Sequence, residues 1–254
     1  MAPTVDLRVS PDAPAAARAA ATFIARVARN AVARRGTFHL AVSGGSTPAL
    51  LFRSLVRRDI DWSCVHVWQV DERVAPDDDD ARNATPLRRE LLDRVPLPSA
   101  NIHLMDVTAR DLDDAARRYA ATLVPLDLVH LGLGDDGHTA SWPPDQPDLL
   151  DAPGRVAITA PFRGFRRMTL TPRAVRDARR VIWLVCGADK RDPLARALNG
   201  DTALPAQRAL DARSVLFVDR ASWPGGGPQP RSGMRRSSVA ASVPPSHSIT
   251  LPVT

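Results

Sequence analysis

Leu126-Asp127-Leu128-Val129-His130-Leu131-Gly132-Leu133-Gly134-Asp135-Asp136-Gly137-His138-Thr139-Ala140-Ser141 is the stretch around which the chain can be ordered. Its first six residues are mostly apolar, too few for a helix, and stopped by glycine, so they read as a buried strand. A strand that ends at Gly-x-Gly and delivers a histidine places that imidazole at its carboxyl end, where open α/β sheets gather ligands. The glycines let the backbone turn sharply and come close to a ligand. His138 is the side chain best suited to move a proton near neutral pH. A lone histidine is usually a loop or core residue and a lone Gly-x-Gly is a weak signal, so the reading depends on companions elsewhere.

Three companions are found at the ends of other apolar runs. Phe38-His39-Leu40-Ala41-Val42 runs into Ser43-Gly44-Gly45-Ser46-Thr47-Pro48 and an apolar helix over residues 49–57. Thr47 suits the cap and Pro48 the first turn. Strand, glycine turn and helix start offer free backbone N–H groups to a phosphate, although the loop is neither a Walker A sequence nor Gly-x-Gly-x-x-Gly. Val65-His66-Val67-Trp68-Gln69-Val70 ends in Asp71-Glu72-Arg73, with His66 read as a packed residue. Val181-Ile182-Trp183-Leu184-Val185-Cys186 ends at Gly187-Ala188-Asp189-Lys190. In a parallel sheet these four clusters share one edge, and their convergence outweighs any one of them.

Around these runs, helices are expected from Asp12 and Pro14 to about residue 35, closed by Gly36, and over residues 87–95, 111–123 and 192–198, with a short one opened by Pro172. Short strands are expected over 5–9, 102–105 and 215–218, and half-buried alternating strands over 155–159 and 167–171, with an exposed loop over 145–153. The acidic loop 77–80 reads as solvated surface, since its spacing matches no EF-hand. Strands alternating with helices give an α/β fold: a doubly wound, largely parallel Rossmann-like sheet with helices on both faces. One catalytic domain is expected over residues 1–222, followed by a Pro/Ser/Gly-rich disordered tail over 223–254.

Composition narrows the function classes. The chain has 254 residues, 44% of them apolar, and a net charge of +6. Three arginines and no acid lie beyond residue 224, so the folded part is only mildly basic, with no basic stripe interleaved with aromatics. A small anionic substrate fits better than nucleic acid. No apolar run is long enough to span a bilayer and no secretory leader is legible, so a cytoplasmic protein without membrane contact is expected. Cys64 and Cys186 sit in apolar runs and read as buried reduced thiols. Of the 34 basic residues only Lys190 is a lysine, which suits a position needing a compact ammonium, although chance explains it equally well.

Taken in order, Ser43-Gly44-Gly45-Ser46-Thr47-Pro48, Asp71-Glu72-Arg73, Gly132-x-Gly-x-Asp-Gly-His138-Thr-Ala-Ser141, Arg167-x-Thr-Leu-Thr171 and Gly187-x-x-Lys190 resemble the 6-phosphogluconolactonases. The resemblance covers roughly residues 5–220. Glucosamine-6-phosphate deaminases share the Ser-Gly-Gly loop and the Asp-Gly-His, but typically continue with Asn-Glu-Pro where this chain has Thr139-Ala140-Ser141. One departure is Ser141-Trp142-Pro143-Pro144 in place of the common Ser-Leu-Phe-Pro, which either reshapes the pocket wall or replaces one bulky group by another.

The resemblance implies hydrolysis of 6-phospho-D-glucono-1,5-lactone to 6-phosphogluconate in the pentose phosphate pathway. His138 is then the general base on water, an imidazole of ordinary pKa about 6.5 being suited to neutral pH. Asp71 is expected to orient it, and the amides of a glycine turn to support the oxyanion. Gly44, Gly45, Ser46 and Thr47 would hold the phosphate with Arg73, Arg167 and Lys190, although Arg166 could stand in for Arg167. No metal and no cofactor are required. The expected partner is the small sugar-phosphate lactone alone, without nucleic acid, and the protein a monomer or weak homodimer. The alternatives are an amino-sugar phosphate deaminase or isomerase, a non-catalytic sugar-phosphate sensor, and, less favoured, a nucleotide-binding module.

Overall fold

A computed structural model describes residues 5–225, so the expected tail lies outside the described residues from 226 onward. Strand β1 (Asp6–Ser10) leads into helix α1 (Ala13–Arg35). The Asp12 carboxylate accepts from the Ala15 amide at 2.7 Å, Pro14 lies in the first turn and Gly36, at φ 79°, closes the helix. The chain continues through β2 (Phe38–Val42), α2 (Ser46–Leu55), β3 (Val65–Gln69), β4 (Asp71–Arg73), α3 (Ala84–Glu90), β5 (Ile102–His103), α4 (Leu112–Thr122) and β6 (Leu128–Leu131). It ends with β7 (Val156–Ile158), β8 (Arg167–Leu170), α5 (Pro172–Arg176), β9 (Val181–Val185), α6 (Arg191–Leu198) and β10 (Ser214–Asp219).

Seven strands form a wholly parallel sheet in the order β1-β10-β9-β6-β2-β3-β5. The chain moves from β2 out through β3 and β5, returns to β6 beside β2, and then moves the other way through β9 and β10. Between β2 and β6 the winding therefore reverses, and that crevice is where such sheets bind ligands. Alternation along the strands feeds two cores. Leu128 joins α1, α2 and α3 on one face; Val129 and Leu131 join α4, α5 and α6 on the other. The doubly wound α/β reading holds.

The three-stranded sheet β4-β8-β7, antiparallel throughout, was legible only in part: strands over 155–159 and 167–171 were expected, their pairing with residues 71–73 was not. Residues 71–73, read as a polar strand end, are one of its strands, and 167–170, read as half-buried, are buried completely. Pairing of Asp71 with Thr169, Glu72 with Met168 and Arg73 with Arg167 sets alternate residues on opposite faces. Asp71, Arg73 and Arg167 thus share one face, and Glu72 turns away from it.

Smaller corrections have local causes. Helix α2 begins at Ser46, not Ala49, and Thr47 lies in its first turn; Gly45, at φ 119°, takes the cap position that Thr47 was expected to fill. Leu149 in the 145–153 segment is buried through a short 3-10 turn, Pro147–Asp151. Cys64 is half-buried at the end of another such turn, whereas Cys186 is buried and its thiol pushed up to about 12. Trp142 is wholly buried, and its indole N–H donates to the Leu170 carbonyl at 2.7 Å, so it fills core and not pocket. Burying an indole removes roughly 4–6 kcal/mol worth of apolar surface from water. Trp223, placed in the expected tail, packs against the core.

Candidate active site

Ser43 donates from both its amide, at 3.2 Å, and its hydroxyl, at 3.1 Å, to the His130 carbonyl, tying the ends of β2 and β6 together. The loop that follows passes straight into α2. No acceptor among the described residues takes the amides of Gly44, Gly45, Ser46 or Thr47, so they remain available to an anion at the positive end of the helix.

Opposite lies the turn after β6. The Gly134 amide donates to the His138 carbonyl at 2.7 Å and the Gly137 amide to the Gly134 carbonyl at 3.1 Å. A Cβ on Gly134 would stand 2.0 Å from His138 Nδ1, so glycine is required for the imidazole to lie against this turn. His138 Nδ1 is 2.5 Å from Asp136 Oδ1, which also accepts from the His138 amide at 3.0 Å. A carboxylate only accepts, so Nδ1 carries the hydrogen and Nε2 is left as the basic nitrogen. The Phe162 ring meets the imidazole edge-on at 5.1 Å. Burial works against the charge of Asp136, but the His138 bonds and the Arg163 guanidinium outweigh it and hold its carboxyl well below the usual range.

Asp71 does not make the contact expected of it. Its carboxylate accepts from the Ser141 hydroxyl at 2.6 Å, and no hydrogen bond joins it to His138. Only 5% exposed, it is pushed up by burial, with the Ser141 bond and the Arg167 charge opposing. The orienting contact belongs to Asp136, because a carboxylate two residues before His138 in the same turn reaches the ring and one on β4 does not. Arg167 is buried, with its guanidinium over the Phe162 ring, while Arg166 is exposed and outside the site. Lys190, just after Gly187, pairs with Asp189 at 2.8 Å.

Gly44, Gly45, Ser46, Thr47, Asp71, Arg73, His138, Arg167 and Lys190 all line one cavity of about 220 Å³. The four strand ends thus do converge. Sequence reasoning missed Asp136, Arg163 and Asn83. Asp136 lay inside the quoted motif and its i, i+2 spacing to His138 was the available signal; Arg163 and Asn83 had none. Asp135, Asp136 and His138 also offer three donor atoms within 4.8 Å of one another, but both carboxylates are already bound by Arg163. The cavity combines a proton acceptor, free amides and cations, the set needed to hold a phosphorylated molecule beside a base.

The family model for glucosamine-6-phosphate isomerases/6-phosphogluconolactonase matches residues 11–218. The GDH/6PGL endoplasmic bifunctional protein of Oryctolagus cuniculus is 41% identical over 186 residues, 68% of this chain but 23% of that protein, so this chain spans about a quarter of its length. The 6-phosphogluconolactonase of a Synechocystis strain is 36% identical over 205 residues, covering 76% of this chain and 84% of the relative. The crystal structure of 6-phosphogluconolactonase from Thermotoga maritima superposes with a TM-score of 0.78 at 26% identity, covering 85% of this chain and all of that one. Matched length and identity suffice: the chain belongs to the glucosamine-6-phosphate isomerase/6-phosphogluconolactonase family.

Proposed function

We propose that this chain hydrolyses 6-phospho-D-glucono-1,5-lactone to 6-phosphogluconate, with His138 as general base. The observation that carries the reading is that His138, paired through Nδ1 with Asp136, the loop 44–47 with its free amides and the cations Arg73, Arg167 and Lys190 border the same cavity. Nε2 takes a proton from water as its oxygen bonds to the lactone carbonyl carbon. The ionised Asp136 steadies the imidazolium that forms. As the tetrahedral intermediate collapses, the ring C–O bond breaks and the imidazolium returns the proton to the departing ring oxygen. The amides of Gly134 and Gly137 are engaged inside their own turn, which leaves oxyanion support to the cavity's other donors. The loop amides, Lys190 and Arg167 hold the phosphate. No step needs a metal or cofactor.

Among the described residues no helix is long and apolar enough to cross a membrane. Within the proposal the protein works in the cytoplasm as a monomer or weak homodimer, without nucleic acid.

The test is a lactonase assay on freshly generated substrate, corrected for spontaneous hydrolysis. His138→Ala should lower turnover by about 10²–10⁴-fold while 6-phosphogluconate still binds, and Asp136→Asn should lower it by at least about tenfold. Wild-type turnover by His138→Ala refutes the assignment of the base. Release of ammonia from glucosamine 6-phosphate in place of lactone hydrolysis refutes the reaction.

A further inference from the structure

We propose that Asn83 is a substrate-binding residue whose side-chain oxygen accepts a hydrogen bond from a sugar hydroxyl and so selects polyhydroxylated ligands, an inference that rests on the sugar-phosphate reading of the cavity. The orientation of its amide is fixed by chemistry. Nδ2 lies 3.0 Å from the Asp71 carbonyl, which can only accept, so the nitrogen faces β4 and Oδ1 faces the other way. That oxygen points at the phosphate-binding loop: a Cβ on Gly44 would fall 2.1 Å from it, and the side chain lines the cavity. Gly44 therefore leaves the room that Oδ1 occupies. Among the described residues no side-chain or backbone donor is bonded to Oδ1.

The main chain that carries Asn83 is also fixed. Its backbone N–H donates to Glu72 Oε1 at 2.7 Å and that of Ala84 to Glu72 Oε2 at 2.8 Å, and the residue is 8% exposed. Arg73, Arg167, Lys190 and the loop amides on the wall satisfy a phosphate but cannot receive a hydroxyl proton, so that task falls to Asn83 Oδ1 together with the Asp71 carboxyl. A sugar phosphate brings several hydroxyls as well, and each one buried needs an acceptor. Asn83 Oδ1 supplies one at a fixed place, and a rigid site acceptor discriminates strongly against an analogue lacking the matching hydroxyl.

The experiment measures dissociation constants by calorimetry for the full chain and for Asn83→Ala. The ligands are 6-phosphogluconate, its 2-, 3- and 4-deoxy analogues, and inorganic phosphate, with thermal melts in parallel. Asn83→Ala should bind 6-phosphogluconate about tenfold more weakly and phosphate within about twofold of wild type, and one deoxy analogue should bind both proteins equally. Equal losses for phosphate and 6-phosphogluconate, or no loss for either, overturn the inference. If the variant does not fold, the wild-type panel decides: one deoxy position must lose about tenfold, and a flat profile overturns it. Wild type that binds 6-phosphogluconate no better than phosphate refutes instead the sugar-phosphate reading itself.

Discussion

Replacing Glu72 by glutamine is the most searching test of how the site is held together. Glu72 is wholly buried on the far side of β4 from the cavity. Oε1 accepts from the amides of Arg73 and Asn83, both at 2.7 Å, and Oε2 from Gln69 Nε2 and the Ala84 amide, both at 2.8 Å. Arg82, itself buried, places Nε 3.3 Å from Oε2. Glutamine keeps one oxygen, so whichever way its amide turns, an NH₂ group faces two donors. Hydrogen bonds to a charged group contribute about 1.5–3 kcal/mol each, and removing one partner of a buried ion pair costs about 3–5 kcal/mol. These overlap and do not add, so we expect Glu72→Gln to lose about 3–5 kcal/mol. At about 2–4 °C per kcal/mol for a domain of this size, the melting temperature falls by about 6–20 °C. Guanidinium unfolding and thermal melts measure this directly, with Arg118→Ala as a control whose exposed ion pair with Asp114 is worth less than about 1 kcal/mol. A loss below about 1 kcal/mol for Glu72→Gln would refute the claim that this carboxylate anchors the cavity wall.

Lys190→Ala should weaken binding of 6-phosphogluconate by about 10–100-fold while barely altering an unphosphorylated lactone, whereas exposed Arg166→Ala should change neither; calorimetry decides, and the opposite order would exchange the two roles. Acid stability should respond to His130, wholly buried on β6, with neither ring nitrogen bonded to any group among the described residues and an imidazole that burial pushes down to about 3. Its folded-state pKa lies below the unfolded value of about 6.5, so as pH falls below 6.5 the unfolded chain takes up a proton that the folded protein refuses, and stability drops by about 1 kcal/mol per pH unit. Guanidinium unfolding at pH 7 and pH 5 should show a loss smaller by about 2 kcal/mol in His130→Leu than in wild type; equal losses exclude His130 as a source.

Much of this was legible because periodicity and punctuation report local physics. The apolar runs at 38–42, 65–69, 128–131 and 181–185 are buried on both faces, which is what a parallel sheet demands of its central strands. Asp12, Pro14 and Gly36 set the ends of α1 because each answers a backbone requirement fixed by neighbouring residues. In the second sheet two strands were expected, but their pairing with residues 71–73 was hidden for the converse reason. Its strands have three, four and three residues, and β4 and β8 are separated by more than ninety positions. No short window contains the pairing that turns Asp71 and Arg73 inward and Glu72 outward. Arg163 and Asn83 were invisible on the same ground: one stands beside the glycine of a hairpin tip and the other before a short helix, and only tertiary contacts bring them to the cavity.

The same long-range pairing explains why the two carboxylates nearest the chemistry are not equivalent. Asp71 arrives from β4, is sealed by β8, and has one hydroxyl donor in Ser141, so burial pushes its carboxyl up against the pull of Ser141 and Arg167. Asp136 arrives from the β6 turn, beside His138 and under Arg163, so its environment favours the ionised form. Only a carboxylate that stays charged can stabilise an imidazolium as it forms. Within the proposed mechanism that assigns Asp136 to the base and leaves Asp71 on the cavity wall, where a carboxyl group, ionised or protonated, can bond to a sugar hydroxyl in either direction. A chain that built only the parallel sheet would have the base and its partner from one turn. Asp71, Arg73 and Arg167, which also line the cavity, come from the small sheet.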